Sequence, residues 1–214
     1  MWPFRQKQKD LRGGRVVFLI ECLLNQNARD LGAAETPATV RPLIDLLADR
    51  EIGLVQIPCP EIACLGFARQ RAPGERIRQA LGAPEPAACC ARLAIATADR
   101  IQCYLEQSYQ VLAVLGGNEQ SPGCAVLQSA GGSGPLTEQS GIFMLALSAE
   151  LDRRGLRVPF HGVRDSDQRR LEEDLKWLDE RLWAKGGVRV PQCLLPVSLL
   201  FVLALSLFHR ILSG

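Results

Sequence analysis

The sequence predicts an α/β fold: a Rossmann-like, three-layer domain with a mostly parallel sheet. Three observations carry that expectation. Short apolar runs that read as strands recur at 15–20, 53–58, 111–116 and 156–160. Helical patterning fills the intervals, and such alternation marks a parallel sheet with helices on both faces. Each of the first three runs is followed by a loop with a cysteine: Cys22, Cys59 and Cys124. Open α/β sheets place ligand sites past the carboxyl ends of their strands. The fold and the site are therefore predicted together.

Composition narrows the class. A chain of 214 residues, 47% hydrophobic and 22% charged, suits one globular domain with an appendage. A formal net charge of +2, with no basic block interleaved with aromatics, argues against a nucleic-acid partner. The eight cysteines are read as reduced and cytosolic. The chain is large enough to build a core without disulfides, and Met1 to Arg15 is polar and basic, unlike a signal peptide. Metal binding or catalysis is then the expected use of the thiols.

Residues 1–14 read as a basic leader, broken by Gly13 and Gly14 from the first strand. That strand leads into Glu21-Cys22-Leu23-Leu24-Asn25, followed by Asn27 and Arg29. A helix is expected over about 38–51, with Thr36 as cap and Pro37 in the first turn. Val40, Leu43, Ile44 and Leu47 share its inner face. The second strand ends in Cys59-Pro60-Glu61. Residues 62–74, with Gly66, Pro73, Gly74 and two arginines, read as a loop over the site, and 82–87 as a second loop. A long helix over about 88–109 places Leu93, Ala96, Ile101, Tyr104 and Leu105 inward. Cys89, Cys90 and Cys103 lie on it and, like Cys193, are read as buried apolar thiols.

The third strand ends at Gly116-Gly117-Asn118, where two glycines let the backbone turn and approach a ligand. Ser121-Pro122-Gly123-Cys124 forms the next turn, and 129–135 reads as a hinge or lid. A helix over about 139–154 and a fourth strand ending at His161 complete the core domain, residues 15–165. Residues 166–189 form an amphipathic helix and linker, its line of Leu171, Leu175, Leu178 and Leu182 packing on the core.

From Leu194 to Phe208 there are fifteen residues without a charge, and nineteen residues run to Leu212. Roughly 20 apolar residues span a bilayer. The run is apolar all round, flanked by Lys185 and Arg189 inside and Arg210 outside. The expectation is a hydrophobic C-terminal helix within 190–214 that anchors a cytoplasmic domain to the inner face of a membrane. A helix buried in the domain or in a dimer is the other reading.

Three cysteines on separated loops do not make a zinc ribbon, which uses close pairs, and no Cys-x-x-Cys occurs. Cys59 and Cys64 match part of a plant-type ferredoxin spacing but lack its close companion, which makes Cys64 the rival ligand. A three-cysteine set leaves one corner of a metal cluster open, as catalysis at a metal requires. Glu61 is a candidate acid or base beside it, or a helix N-terminal carboxylate. Ser121, Asn118, Asn25 and Arg29 are candidates to hydrogen-bond a substrate, or to serve turns and caps. His161 ends a strand and can face the site, although a lone histidine there is more often structural.

Cys22-Leu23-Leu24 with Asn27 and Arg29, Cys59-Pro60-Glu61, and Ser121-Pro122-Gly123-Cys124 together resemble the 2-thiouracil desulfurase family over roughly residues 15–165. The chain departs from that pattern at Asn25, Gly123 and Ala125. It keeps the pieces after Cys-Pro-Glu only as Cys64-Leu65-Gly66 and Arg69. The resemblance implies a 4Fe–4S cluster held by Cys22, Cys59 and Cys124. Its fourth iron would be free to take sulfur from a small thiocarbonyl or thiolated heterocycle without net redox change. Glu61 and Ser121 are then the catalytic candidates, and Asn25, Arg29 and Asn118 the substrate-binding ones. The alternative is a non-enzymatic or redox-sensing iron–sulfur module tethered to a membrane.

Overall fold

The computed structural model describes residues 10–129 and 134–183. Four parallel strands, β1 (Arg15–Ile20), β2 (Gly53–Ile57), β3 (Gln110–Gly116) and β4 (Phe160–Gly162), form one sheet in the order β2-β1-β3-β4. β1 is central and nearly continuous in apolar residues, as a strand covered on both faces must be. Val17, Phe18, Leu19 and Ile20 are all buried. It pairs with β2 from Val16–Gly53 to Ile20–Ile57, and with β3 through an irregularity between Val16 and Phe18.

The helices are α1 (Glu21–Leu24), α2 (Arg41–Asp49), α3 (Pro60–Leu65), α4 (Ile77–Gly82), α5 (Pro84–Glu106), α6 (Ile142–Arg153) and α7 (Gln168–Trp183), with a 3-10 turn at Gln26–Ala28. The chain moves one way across the sheet from β1 to β2, then back over β1 to β3. Right-handed crossovers in opposite directions put their helices on opposite faces. Accordingly α2 packs with α7, and α5 packs with α6. Phe18 meets Tyr104 of α5 edge to face, with centroids 5.6 Å apart. The reversal makes the carboxyl ends of β1 and β3 the natural crevice of this sheet.

Several expected boundaries move. α2 begins at Arg41, with Pro42 rather than Pro37 in its first turn. The cause lies upstream: Val40 N–H and the Thr39 hydroxyl both donate to Leu23 O, at 3.1 and 3.0 Å, tying 39–40 to α1. Residues 62–65 are helix, not loop, because Pro60 opens α3 and Gly66 closes it. The loop expected at 82–87 is mostly the first turn of α5. Pro84 and Pro86 sit where a missing N–H costs nothing. The buried line of α5 is Cys90, Ala94, Thr97, Ala98 and Ile101, so Ala96 and Cys103 are exposed. β4 starts only at Phe160, since Pro159 has no N–H to give. Pro159 O still accepts from Val114 N–H at 2.8 Å.

The expected hydrophobic helix at 194–212, Cys193, most of the leader and residues 130–133 of the hinge lie outside the described residues. Among the described residues no helix is long and apolar enough to cross a membrane.

α7 docks through Leu171 and Leu178, and through a buried carboxylate, Asp174. Asp174 accepts from Arg164 N–H at 2.8 Å and from its guanidinium at 2.7 Å, and lies 2.9 Å from His161 Nε2. The His161 ring stacks on Trp177, centroids 3.9 Å apart, so this histidine belongs to the helix contact. Burial would raise Asp174, but the hydrogen bonds from His161 and Arg164 outweigh it and hold the carboxyl below its usual 3.8. A depressed carboxyl contributes stability that is complete above the unfolded value. That stability is lost as pH falls through the lower folded value. Asp174→Asn should lose about 2–3 kcal/mol at pH 7, and urea unfolding should show its stability falling less than that of the parent below pH 4.

Candidate functional site

Three loops meet where β1, β2 and β3 end. Cys22 follows β1 at the second position of α1. α1 stops at Asn25, whose side chain caps the next turn by accepting from Asn27 N–H at 3.1 Å. Cys59 follows β2 as the N-cap of α3. Cys124 lies in the turn after β3, whose carbonyl accepts from Gly117 N–H at 3.0 Å. The three thiols are 9%, 6% and 4% exposed, respectively.

Gly117 shows how close Cys22 and Cys124 come. A Cβ there would lie 2.9 Å from Cys124 Sγ and 3.6 Å from Cys22 Sγ. Both sulfurs thus rest against one bare stretch of backbone. They divide their acidity. The Cys22 thiol is lowered, first by the hydrogen bond with Cys124 and then, against burial, by the Arg29 guanidinium. Cys124 is raised well above a free thiol because it supplies that hydrogen bond and is buried. Burial pushes Cys59 up to about 11, although the N–H groups of Ile62 and Glu61 pull the other way. Cys59 is close enough for its charge to raise Cys124 as well.

Polar side chains frame the thiols. Ser121 Oγ lies 3.1 Å from Cys124 Sγ and donates to Glu61 Oε1 at 3.2 Å. It also accepts from Cys124 N–H at 3.2 Å. Glu61 pairs with the buried Arg69, Nε to Oε2 at 3.2 Å. Arg69 reaches on to Ala28 O at 2.5 Å and Phe67 O at 2.8 Å, joining α3 to the loop after β1. Glu21 Oε2 accepts from Cys59 N–H at 2.9 Å, so the loops of Cys22 and Cys59 are pinned to each other. Arg29 pairs with Asp165 at 2.6 Å, and Gln26 donates to the same carboxylate at 3.0 Å.

The fold therefore gathers Cys22, Cys59, Cys124, Glu61, Ser121 and Arg29. Two sequence candidates are engaged elsewhere. Asn25 is a cap, and Asn118 donates to Ser166 Oγ at 2.6 Å while accepting from Gln120 N–H at 3.3 Å. The rival ligand is corrected outright: Cys64 forms a disulfide with Cys89. The expectation that all cysteines are reduced fails at this pair, because α3 is a helix and its last turn carries Cys64 onto α5. Glu21, Gln26 and Asp165 are site residues that sequence reasoning passed over. The signal present was position alone: a carboxylate next to Cys22, and another just past β4.

No family model matches the chain, and no solved structure matches it. The chain is similar to the uncharacterized protein MJ0003 of Methanocaldococcus jannaschii, 23% identical over 121 residues. Those residues are 56% of this chain and 74% of that protein.

Among the described residues no three histidine, cysteine or acidic side chains stand ready around a single ion. Three thiols from three loops are nonetheless the donor chemistry of a sulfur-loving centre rather than of a hard cation. A centre of several metal atoms also separates its ligands further than one ion does.

The Glu61–Arg69 pair yields a direct expectation. Arg69→Met leaves a carboxylate 8% exposed without its cation, which should cost about 3–5 kcal/mol. Urea unfolding of Arg69→Met, Glu61→Gln and the double variant should show the double losing less than the sum of the singles.

Proposed function

We propose that this chain is an iron–sulfur-dependent desulfurase-like enzyme, acting on a small thiocarbonyl or thiolated heterocycle in a Rossmann-like domain. The observation that carries the reading is the position of Ser121. Its hydroxyl links a buried carboxylate, Glu61, to Cys124 inside a cluster of three thiols at the strand ends. Cys22, Cys59 and Cys124 would hold a 4Fe–4S cluster. When bound, that cluster supplies an open iron with affinity for sulfide.

The residues divide the remaining work. The overall change is thiocarbonyl plus water to carbonyl plus hydrogen sulfide, with no electrons gained or lost. Water must therefore give up two protons and the departing sulfur must gain two. Glu61 accepts the first through Ser121 and returns it by the same path. Arg69, paired with Glu61, holds the carboxylate in place. Arg29, held by Asp165, offers fixed positive charge beside Cys22. The thiols themselves are nearly fully buried, which shields them from bulk water. The uncharged run from 194 to 208 is the proposed anchor of this domain to the inner face of a membrane.

Anaerobic reconstitution tests the reading. The parent protein should take up iron and sulfide and gain visible absorbance. Cys22→Ala, Cys59→Ala and Cys124→Ala should each lose them, and the exposed Cys103→Ala should not. Ser121→Ala should keep the iron while 2-thiouracil turnover falls about 10²–10⁴-fold. A colourless, iron-free parent ends the cluster proposal. A filled centre that releases sulfide from no thiolated base favours the redox-sensing module instead.

A further inference from the structure

We infer that Cys64, Cys89 and Cys90 form a thiol–disulfide exchange triad that locks and releases α3, the helix carrying Cys59 and Glu61. The argument begins with the size of α3. It has six residues, with Cys59 as its N-cap, Glu61 in its first turn and Cys64 in its last. One end is fixed by the polar contacts of the site. The other is tied covalently to α5 through Cys64 and Cys89, 25 residues apart in sequence. A helix this short has little stability of its own and relies on such ties.

The third cysteine makes the tie exchangeable. Cys90 is fully buried and unpaired, and its sulfur lies 3.7 Å from Cys64 Sγ. Cys64 therefore touches two sulfurs of α5, one bonded and one free. In the exchange, the Cys90 thiolate attacks Cys64 Sγ and forms the Cys64–Cys90 bond. The Cys64–Cys89 bond breaks, its electron pair stays on Cys89, and Cys89 takes up the proton that Cys90 lost. No oxidant or reductant is consumed. Burial holds the Cys90 thiol up to about 11, so little of it is thiolate and the exchange out of Cys64–Cys89 is slow.

The two registers differ mechanically. Neighbouring helical positions are roughly 100° apart around the axis. Moving the bridge from Cys89 to Cys90 therefore draws α3 to a different line on α5. Full release needs an external dithiol. It gives two electrons to the Cys64–Cys89 bond, becomes a disulfide itself, and leaves thiols on Cys64 and Cys89. Cys64 and Cys89 are each partly exposed, so such a reductant can reach the bond. In either event the helix whose tie changes is the one capped by Cys59 and carrying Glu61, which accepts from Ser121.

The test needs no turnover and no metal, so its outcome is separable from that of the proposed reaction. The full chain, purified without reductant, is alkylated and mapped by mass spectrometry. The expected result is a Cys64–Cys89 link in the parent and a Cys64–Cys90 link in Cys89→Ser. Hydrogen exchange at the amides of residues 61–65 should quicken at least about tenfold when the parent is reduced with dithiothreitol. The same treatment should not change exchange in Cys64→Ser. Alkylation of both Cys64 and Cys89 in the unreduced parent overturns the inference. So does free Cys64 in Cys89→Ser, or parental exchange that reduction leaves unchanged; the last needs no variant to fold.

Discussion

The site depends on a contact between two backbones. Gly141 lies so close to the Gly123–Cys124 peptide that a Cβ on it would fall upon the carbonyl carbon of Gly123 and the nitrogen of Cys124. No side chain longer than hydrogen fits. The approach is kept by donors that a helix leaves unpaired at its start. Ile142 N–H gives to Pro122 O and Phe143 N–H to Gly123 O, both at 3.1 Å, and Gly141 N–H gives to Ala125 O at 2.8 Å. The first turn of α6 thereby clasps the Cys124 turn from one side, while Gly117 clasps it from the other. Gly123 also lies against α3: a Cβ there would meet Pro60 Cγ at 2.8 Å.

Around that clasp the chain buries charge, which is costly unless each group is paired. Glu61, Arg69, Asp165 and Arg29 each have a partner within hydrogen-bond reach. Such pairs rarely add much net stability, since desolvation offsets their attraction. Their contribution here is geometric. Arg69 fastens α3 to the turn after β1, Glu21 fastens the Cys59 amide to α1, and Arg29 fastens that same region to the end of β4. Each cysteine loop is thus bound to the next by a charged side chain rather than by apolar packing alone.

The sheet could be read from the sequence because its strands are apolar runs between breakers, and that signal is local. β1, β2 and β3 appear within a residue or so of their expected bounds, and the loops after them carry the expected thiols. α3 could not be read that way. Pro58, Pro60, Gly66 and Pro73 punctuate the stretch so heavily that loop was the natural reading, yet Pro60 is a helix starter in this position. That one error hid the Cys64–Cys89 bridge, since only a helix delivers Cys64 to α5. Asp165 and Glu21 were missed for another reason. A carboxylate's role here depends on which loop lies across from it, and no periodicity records that. Arg69 was visible as a residue, but its burial was not.

The spacing of the thiols has a consequence for how the protein matures. Cys22, Cys59 and Cys124 sit on three different strand ends, 37 and 65 residues apart along the chain. Bringing such distant points together carries a loop-closure cost that only completed strand pairing repays. In the folded chain the sulfurs meet only because β2 and β3 flank β1. This differs from the small zinc modules, where neighbouring ligands let the ion direct folding. Here the three thiols are brought together by paired strands rather than by their spacing in sequence, so the sheet, not a bound group, sets where they lie.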